Sequence, residues 1–302
     1  MSKLITLSEA ISRFVPDGGS VALGLALEGL IPFAAGHEII RQGVRDLTLI
    51  GPISDILFDQ MIGAGCVRKV IAAWVGNVIT GSGYNFRRAV EEEQIEVEDH
   101  SNLSVTMALL AGSLGIPFMP LLSALGTDLF QTNPAFKEMS CPYTGQKLAT
   151  VAALNPDVAI VHVQRADEEG NAHLWGSTGI SKVAAQAARH VILVAEEIVG
   201  REVIASDPNR TFCPGFRVSG VVHEPWGAHP SPVPGYYRRA HQHFTDYSAQ
   251  TKKAEGFQQW LERWVLGVAD RREYCRRLLE EKGMDPLRLT VHAPSTPVDY
   301  GY

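Results

Sequence analysis

Glu98 ends the run Ile95-Glu96-Val97-Glu98 and stands directly before Asp99, His100 and Ser101. A carboxylate between a strand end and a helix start can accept a proton, its pKa set by burial and by the helix. The competing assignment makes Glu96 and Glu98 the solvated face of an edge strand. Gly76-Asn77 closes the apolar run VIAAWV, and Gly81-Ser82-Gly83-Tyr84-Asn85-Phe86-Arg87-Arg88 follows. Glycines, amides and arginines just past the carboxyl end of a parallel strand stand where open α/β sheets bind ligands. Arg87 and Arg88 can equally form a solvated first turn, although that end of a helix disfavours cations. Asp17-Gly18-Gly19 leads through SVALG to Gly24 and a turn before Pro32. Backbone N–H groups in such a turn can hold an anion or a polarised carbonyl, or the glycines can serve a tight turn alone.

Other constellations are weaker. His241-x-His243 lies near His223 and His229, but no H-E-x-x-H occurs and no acid or thiol has ligand spacing, so no metal site is expected. No G-x-S-x-G, phosphate-binding P-loop or complete G-x-G-x-x-G is present, which argues against a serine hydrolase, a P-loop NTPase and a dinucleotide enzyme. Arg271, Arg272, Arg276 and Arg277 are interleaved with Glu273, Glu280 and Glu281, which suits a solvated helix face with i,i+4 pairs.

These residues need a scaffold. Residues 20–24, 47–50, 70–75, 95–98, 158–163 and 191–195 read as strands, several apolar on both faces as in a covered parallel sheet. Between them lie helical patterns such as 33–42, closed by Gly43, and a helix capped by Ser101 with Leu103, Met107, Leu110 and Leu114 on one face. The alternation predicts an α/β fold: an open, mostly parallel, doubly wound sheet. After about Arg210 the chain becomes irregular. Two helices then follow, the first with Phe257, Trp260, Leu261, Trp264, Val265 and Val268 on one stripe, the second opening at Asp270 with Glu273. The expected organisation is an α/β domain over 1–245 and a helical tail over 246–302 packed on it.

The 302 residues carry 45% hydrophobic and 20% charged side chains, which excludes a disordered chain. A net charge of −6 offers no global field for nucleic acid or an anionic membrane. Residues 101–127 carry no charge, yet Gly112, Gly115, Pro117 and Pro120 would break a spanning helix, so the segment reads as core. Four scattered cysteines and an N-terminus without a signal-peptide core point to a cytoplasmic protein with reduced thiols.

Several long pieces occur in one order: DGGSVALG, EIIRQGVRDLTLIG, GYNFRRAVEEEQIEVEDHSN, AGSLGIPFMP, LGTD, NPDVAIVHVQRADEEGNAHLWG, GAHPSPVPGYY and EGFQQWLERWVLGVADRREY. Together they resemble the A (alpha) subunit of class I CoA-transferases, most like the alpha subunit of the glutaconate CoA-transferase type, over about residues 15 to 280. The resemblance implies a NagB/RpiA/CoA-transferase-like fold and a partner B (beta) subunit, with the active site between the two. It implies coenzyme A as a co-substrate rather than a resident cofactor, exchanged between an acyl-CoA and a carboxylic acid. It also implies a glutamate nucleophile, on the beta subunit, working through acyl-anhydride and glutamyl-CoA intermediates. This chain lacks the Ser-Glu-Asn-Gly setting of that nucleophile, as an alpha chain should.

The candidate pocket is Gly24, Gly76, Asn77, Asn85, Arg87, Glu98 and Ser101. The family's glycine-rich turn usually reads G-G-F with a glycine two before the proline. Here Leu25 and Ala26 follow Gly24, and Leu30 stands two before Pro32, a bulkier lining that suggests a substrate other than glutaconate. Relatives of this shape include ring-cleaving CoA-thioester hydrolases, and in that alternative Glu98 is the candidate base. A regulator's effector-binding module would need a basic helix-turn-helix, which neither end provides.

Overall fold

The computed structural model describes residues 2–289; residue 1 and residues 290–302 of the expected tail lie outside the described residues. In chain order the strands are β1 Ser20–Ala22, β2 Leu47–Ile53, β3 Val67–Trp74, β4 Gly76–Asn77, β5 Gly81–Ser82, β6 Glu96–Asp99, β7 Phe118–Leu121, β8 Phe136–Ser140, β9 Lys147–Ala152, β10 Val158–Ala166, β11 Ala172–His173, β12 His190–Ile198 and β13 Gly220–His223. The helices are α1 Leu7–Phe14, α2 Phe33–Arg41, α3 Ile56–Gly63, α4 Tyr84–Glu91, α5 Asn102–Leu114, α6 Asp128–Thr132, α7 Ser181–Ala187, α8 Arg201–Ala205, α9 His241–Gln250, α10 Ala254–Leu261 and α11 Arg271–Lys282.

The central sheet runs β13-β12-β10-β1-β2-β3-β6, every one of these pairs parallel, with β11 antiparallel on β10. The chain winds outward from β1 through β2 and β3 to β6. It then crosses an antiparallel lobe, β7-β9-β8, and returns to β10 on the other side of β1. The strand order therefore reverses between β1 and β10, which places the ligand crevice of a doubly wound sheet outside their carboxyl ends.

Strand alternation divides the core between the two faces. Val158 and Ile160 join one apolar cluster with α1, α2 and α3, while Ala159 and Val161 join another with α5 and α7. The stripe Phe257, Trp260, Leu261, Trp264, Val265 and Val268 is buried in the first cluster, alongside Val21 and Leu49 of the sheet. Each such side chain contributes about 1.5–3 kcal/mol of burial. The expected division at 245/246 falls inside α9.

Two local expectations are corrected. Ser101 does cap α5, accepting from the Ser104 N–H, and Gly115 ends the helix in the left-handed region at φ 70°. However, Leu103 is 43% and Leu114 61% exposed, and Val105, Ala108, Leu109 and Ala111 are the buried face. The buried face is the one that meets α7 and the sheet, and it mixes Val105 and Leu109 with the alanines. In α11, Arg276 pairs with Glu280 as expected, but Arg277 donates to the Arg263 and Gly267 carbonyls and Glu281 pairs with Arg263. Arg271 is not solvated at all. It is 3% exposed and donates to the carbonyls of Trp226 and His229. Among the described residues no helix is long and apolar enough to cross a membrane.

Candidate active site

At the carboxyl ends of β1, β2 and β3 the chain makes three tight turns against one another. Gly24 has φ 67°, and a Cβ there would collide with Ser54 Oγ, so only glycine lets the turn after β1 rest on the turn after β2. Gly76 has φ 150°, and a Cβ there would collide with the Gly81 carbonyl oxygen, so glycine keeps the β4–β5 hairpin closed. Asn77 brackets that hairpin. Its Nδ2 donates to Asp55 Oδ1 at 2.7 Å and its Oδ1 accepts from the Ile79 N–H at 2.9 Å.

Asp55 is the centre of this arrangement. It is 1% exposed and sits at φ 51°, a left-handed conformation that non-glycine residues adopt only when their surroundings enforce it. Arg239 enforces it, with Nη2 2.9 Å from Asp55 Oδ2 and Nη1 2.9 Å from Glu28 Oε2. The Arg239 guanidinium also lies 4.3 Å over the Phe244 ring. Burial pushes the Asp55 carboxyl up to about 6, against the opposing pull of Arg239. Arg239 arrives on the irregular segment after β13, which a group of four residues around Glu196 fastens to the sheet. Within it Glu196 accepts from the Tyr237 hydroxyl and the Trp226 N–H, and its Oε1 lies 2.7 Å from His162 Nε2.

Glu98 and Ser101 occupy a second place, at the β6 edge. Glu98 lies opposite Ile71 in register, with Oε2 2.7 Å from Lys69 Nζ and Oε1 2.9 Å from His100 Nε2. The hydrogen bond to His100, with Lys69 adding, holds the Glu98 carboxyl down at about 2. It borders a cavity of about 340 Å³ shared with Thr132 and Pro134 of the antiparallel lobe. Ser101 is engaged by its capping bond with Ser104. Asn85 and Arg87 occupy a third place on α4. Asn85 is buried against Asp59, Tyr247 and Arg88, where it fastens α4 to α3 and α9. Arg87 is exposed and lies 5.8 Å over the Tyr84 ring.

The structure therefore brings Gly24, Gly76 and Asn77 together, leaves Glu98 and Ser101 at the edge strand, and turns Asn85 into the interior. Sequence reasoning missed Asp55, Glu28 and Arg239. Ser54-Asp55 after the apolar run LTLIGPI carried a usable signal, since it is polar at the carboxyl end of a strand. Arg239 carried none, because it reaches Asp55 from 184 residues away.

The family model for coenzyme A transferase matches residues 4–224. This chain belongs to the coenzyme A transferase family. The transferase chain is 40% identical to the alpha-type subunit of 3-oxoadipate CoA-transferase of Pseudomonas knackmussii, over 93% of this chain and 100% of that one. It is 33% identical to the corresponding subunit of glutaconate CoA-transferase of Acidaminococcus fermentans, over 92% of each. The crystal structure of the glutaconate enzyme from that organism superposes with a TM-score of 0.90 at 31% identity, covering 97% of this chain and 99% of the other. The transferase chain is thus an alpha subunit of a heteromeric CoA-transferase, with the α/β sheet of that family. The ring-cleaving hydrolase assignment is not better supported, since a cholesterol ring-cleaving hydrolase subunit of Rhodococcus jostii is only 26% identical, over 89% of this chain.

Proposed function

We propose that this alpha subunit works with a beta subunit to move coenzyme A between an acyl-CoA and a short dicarboxylic acid. The observation that carries the reading is the state of the carboxylates beside the switch point. Asp55 is bound by Arg239 and Asn77, and Glu28 by Arg239. Glu98, away at the sheet edge, is bound by Lys69 and His100. None of the three stands free to attack a thioester, which supports a nucleophilic glutamate on the partner.

That glutamate adds to the thioester carbonyl, expelling the CoA thiolate and leaving an acyl-glutamyl anhydride. The thiolate then attacks the glutamyl carbonyl, releasing the acid and forming glutamyl-CoA. The acceptor carboxylate reverses both steps, so CoA leaves on the new acid and the glutamate is regenerated. This chain's part is positional. The turn after Gly24 presents backbone N–H groups to the polarised carbonyl, and the hairpin held by Asn77 forms the opposite lip. A dicarboxylic acceptor is favoured because two relatives, one 40% and one 33% identical, are named for 3-oxoadipate and glutaconate. Leu25 and Leu30, expected from the sequence as a bulkier lining, are instead buried in the core at 2% and 3% exposure, so they do not bear on which acid is taken. The cytoplasm, where acyl-CoA is available and thiols stay reduced, is the proposed location.

The test is to co-express the chain with its cognate beta subunit and follow thioester with and without dicarboxylic acids of increasing length. Acid-dependent transfer and an enzyme-bound CoA adduct trapped by borohydride are expected. Thioester loss independent of added acid overturns the transferase reading in favour of hydrolysis. Full transfer by the alpha chain alone overturns the assignment of the nucleophile to the partner.

A further inference from the structure

Alone among the α-helices of the described residues, α5 carries no charged side chain, although one of its sides looks outward. The inner side, with Val105, Ala108, Leu109 and Ala111, is buried against α7 and the sheet. The outer stripe is Leu103, Met107, Leu110 and Leu114, and its two ends are 43% and 61% exposed. A helix apolar on both sides belongs between two layers, and this chain provides only one of them. The apolar surface continues past the helix end, where Ile116 is 38% exposed and Phe118 of β7, the strand packed beside α5, is 39% exposed. No Asp, Glu, Lys or Arg interrupts residues 101–127. A contiguous exposed apolar patch of this kind marks an interaction surface.

We propose that the outer stripe of α5, with β7 beside it, is the face on which the beta subunit docks, an inference that rests on the two-subunit function proposed above. Position selects this occupant. β6 ends at Asp99 and α5 begins at Asn102, so Leu103 stands at the carboxyl end of the sheet, where Gly24, Gly76 and Asn77 also make their turns. The tip of the β4–β5 hairpin, at the same end, leaves Val78 and Ile79 54% and 53% exposed. A partner seated on α5 therefore reaches the rim where a glutamate has to meet the thioester. A second copy of this chain would leave that glutamate unsupplied, because the carboxylates at its own switch point, Asp55 and Glu28, are bound to Arg239. A lipid surface is disfavoured too. Helices that lie on membranes carry Lys or Arg on their polar face, whereas α5 has neither, and the stretch is bracketed in sequence by the exposed Asp99 and Asp128. Leu103 and Leu114 lie about 16 Å apart along the helix axis, so the contact runs the length of α5. Large apolar side chains of this kind form the centre of a protein–protein interface, with polar groups at its rim.

The test mixes the alpha chain with its cognate beta subunit and reads the dissociation constant by sedimentation. Leu114→Glu charges a side chain that this chain leaves exposed, so the variant should keep its urea midpoint and yet weaken assembly at least about tenfold. Leu279→Glu, on α11 and 54% exposed, should leave assembly unchanged. In the wild type, amide hydrogen exchange over residues 113–122 should slow when the beta subunit is added, and this measurement decides alone if Leu114→Glu does not fold. Wild-type assembly that Leu114→Glu leaves intact, or exchange there that the beta subunit does not slow, overturns the docking face while the two-subunit function stands. No assembly of the wild-type chain with the beta subunit overturns that function and this proposal with it. An alpha dimer formed without the beta subunit and dissociated by Leu114→Glu gives the face to a second copy. Binding to phosphatidylserine vesicles that Leu114→Glu abolishes gives it to a membrane, and either result overturns the proposal.

Discussion

Arg239 Nη2 lies 2.9 Å from Asp55 Oδ2, joining a strained turn after β2 to a loop 184 residues further along the chain. Nη1 of the same guanidinium holds Glu28, so one side chain fixes the turns after both β1 and β2. The two turns at the switch point are therefore set by a contact of long sequence separation, and losing it should loosen both together.

Arg239→Met removes the cation beside a buried carboxylate and should cost about 3–5 kcal/mol. Asp55 has a folded-state pKa of about 6, above its ordinary 3.8. Its contribution to stability is therefore full below that ordinary value and is lost as pH rises through about 6. Without Arg239 the carboxyl rises further, so the variant should lose more stability at pH 8 than at pH 5. Urea midpoints at the two pH values check this, and an equal loss at both contradicts the coupling.

Glu98 behaves in the opposite sense. Its carboxyl is held at about 2 against an ordinary 4.5, so its stabilisation is present above that value and lost as pH falls toward 2. Glu98→Gln should cost about 1–2 kcal/mol at neutral pH after allowance for solvent screening, and nothing near pH 2. So weak a base is unsuited to proton abstraction. The variant assembled with its beta subunit should keep transfer within about tenfold, whereas a general base is worth about a hundredfold or more. A hundredfold fall in rate returns Glu98 to the chemistry.

The six strands read from the sequence all appear in the parallel sheet, several because runs apolar on both faces have few other places to go, and β6 as its half-polar edge. The closing stripe from Phe257 to Val268 was legible for the same reason, its period matching a helix face. The face of α5 was not. Leu103 and Leu114 point outward while Val105, Ala108, Leu109 and Ala111 are buried, so choosing the face by the larger side chains missed it, and only the packing against α7 and the sheet decides. The site divided likewise. Gly24 and Asn77 stand out locally, as a turn and a strand end, whereas Arg239 and Asp55 gain meaning only from tertiary contact. Asn85, read from the sequence as a ligand-binding amide, is buried with Tyr247 beneath it, a contact that no local pattern reveals.

The turn after β1 carries strain where glycine would carry none. Leu27 and Leu30 have φ of 65° and 55°, and Leu30 is fixed by its N–H to the Pro232 carbonyl at 3.0 Å. Leu27 is only half-buried, so Leu27→Gly sacrifices little packing and should stabilise by up to about 1 kcal/mol. Leu27→Val, β-branched at the same φ, should destabilise by about 1–2 kcal/mol. Chemical denaturation of the two variants compares them, and shifts of the same sign would mean that the turn is not strained.

Asn77→Asp tests the hairpin bracket with the smallest possible change. The amide now donates to Asp55 Oδ1 and accepts from Ile79, so this side chain ties the hairpin tip, with Val78 and Ile79 54% and 53% exposed, to the turn after β2. The substitution keeps the acceptor for the Ile79 N–H but sets a carboxylate against a buried carboxylate, and two such groups cannot both ionise at this distance. One must hold a proton, which raises the apparent titration of the pair above the value near 6 that Asp55 has alone. Below that pH the proton restores a donor between the two residues and the bracket closes; above it the charges separate the turns. Transfer activity with the beta subunit should therefore be near wild type at pH 5.5 and fall at least tenfold by pH 8, with faster amide hydrogen exchange at Ile79 over the same range. Activity equally low at both pH values would show that the amide acts on substrate directly and not through Asp55.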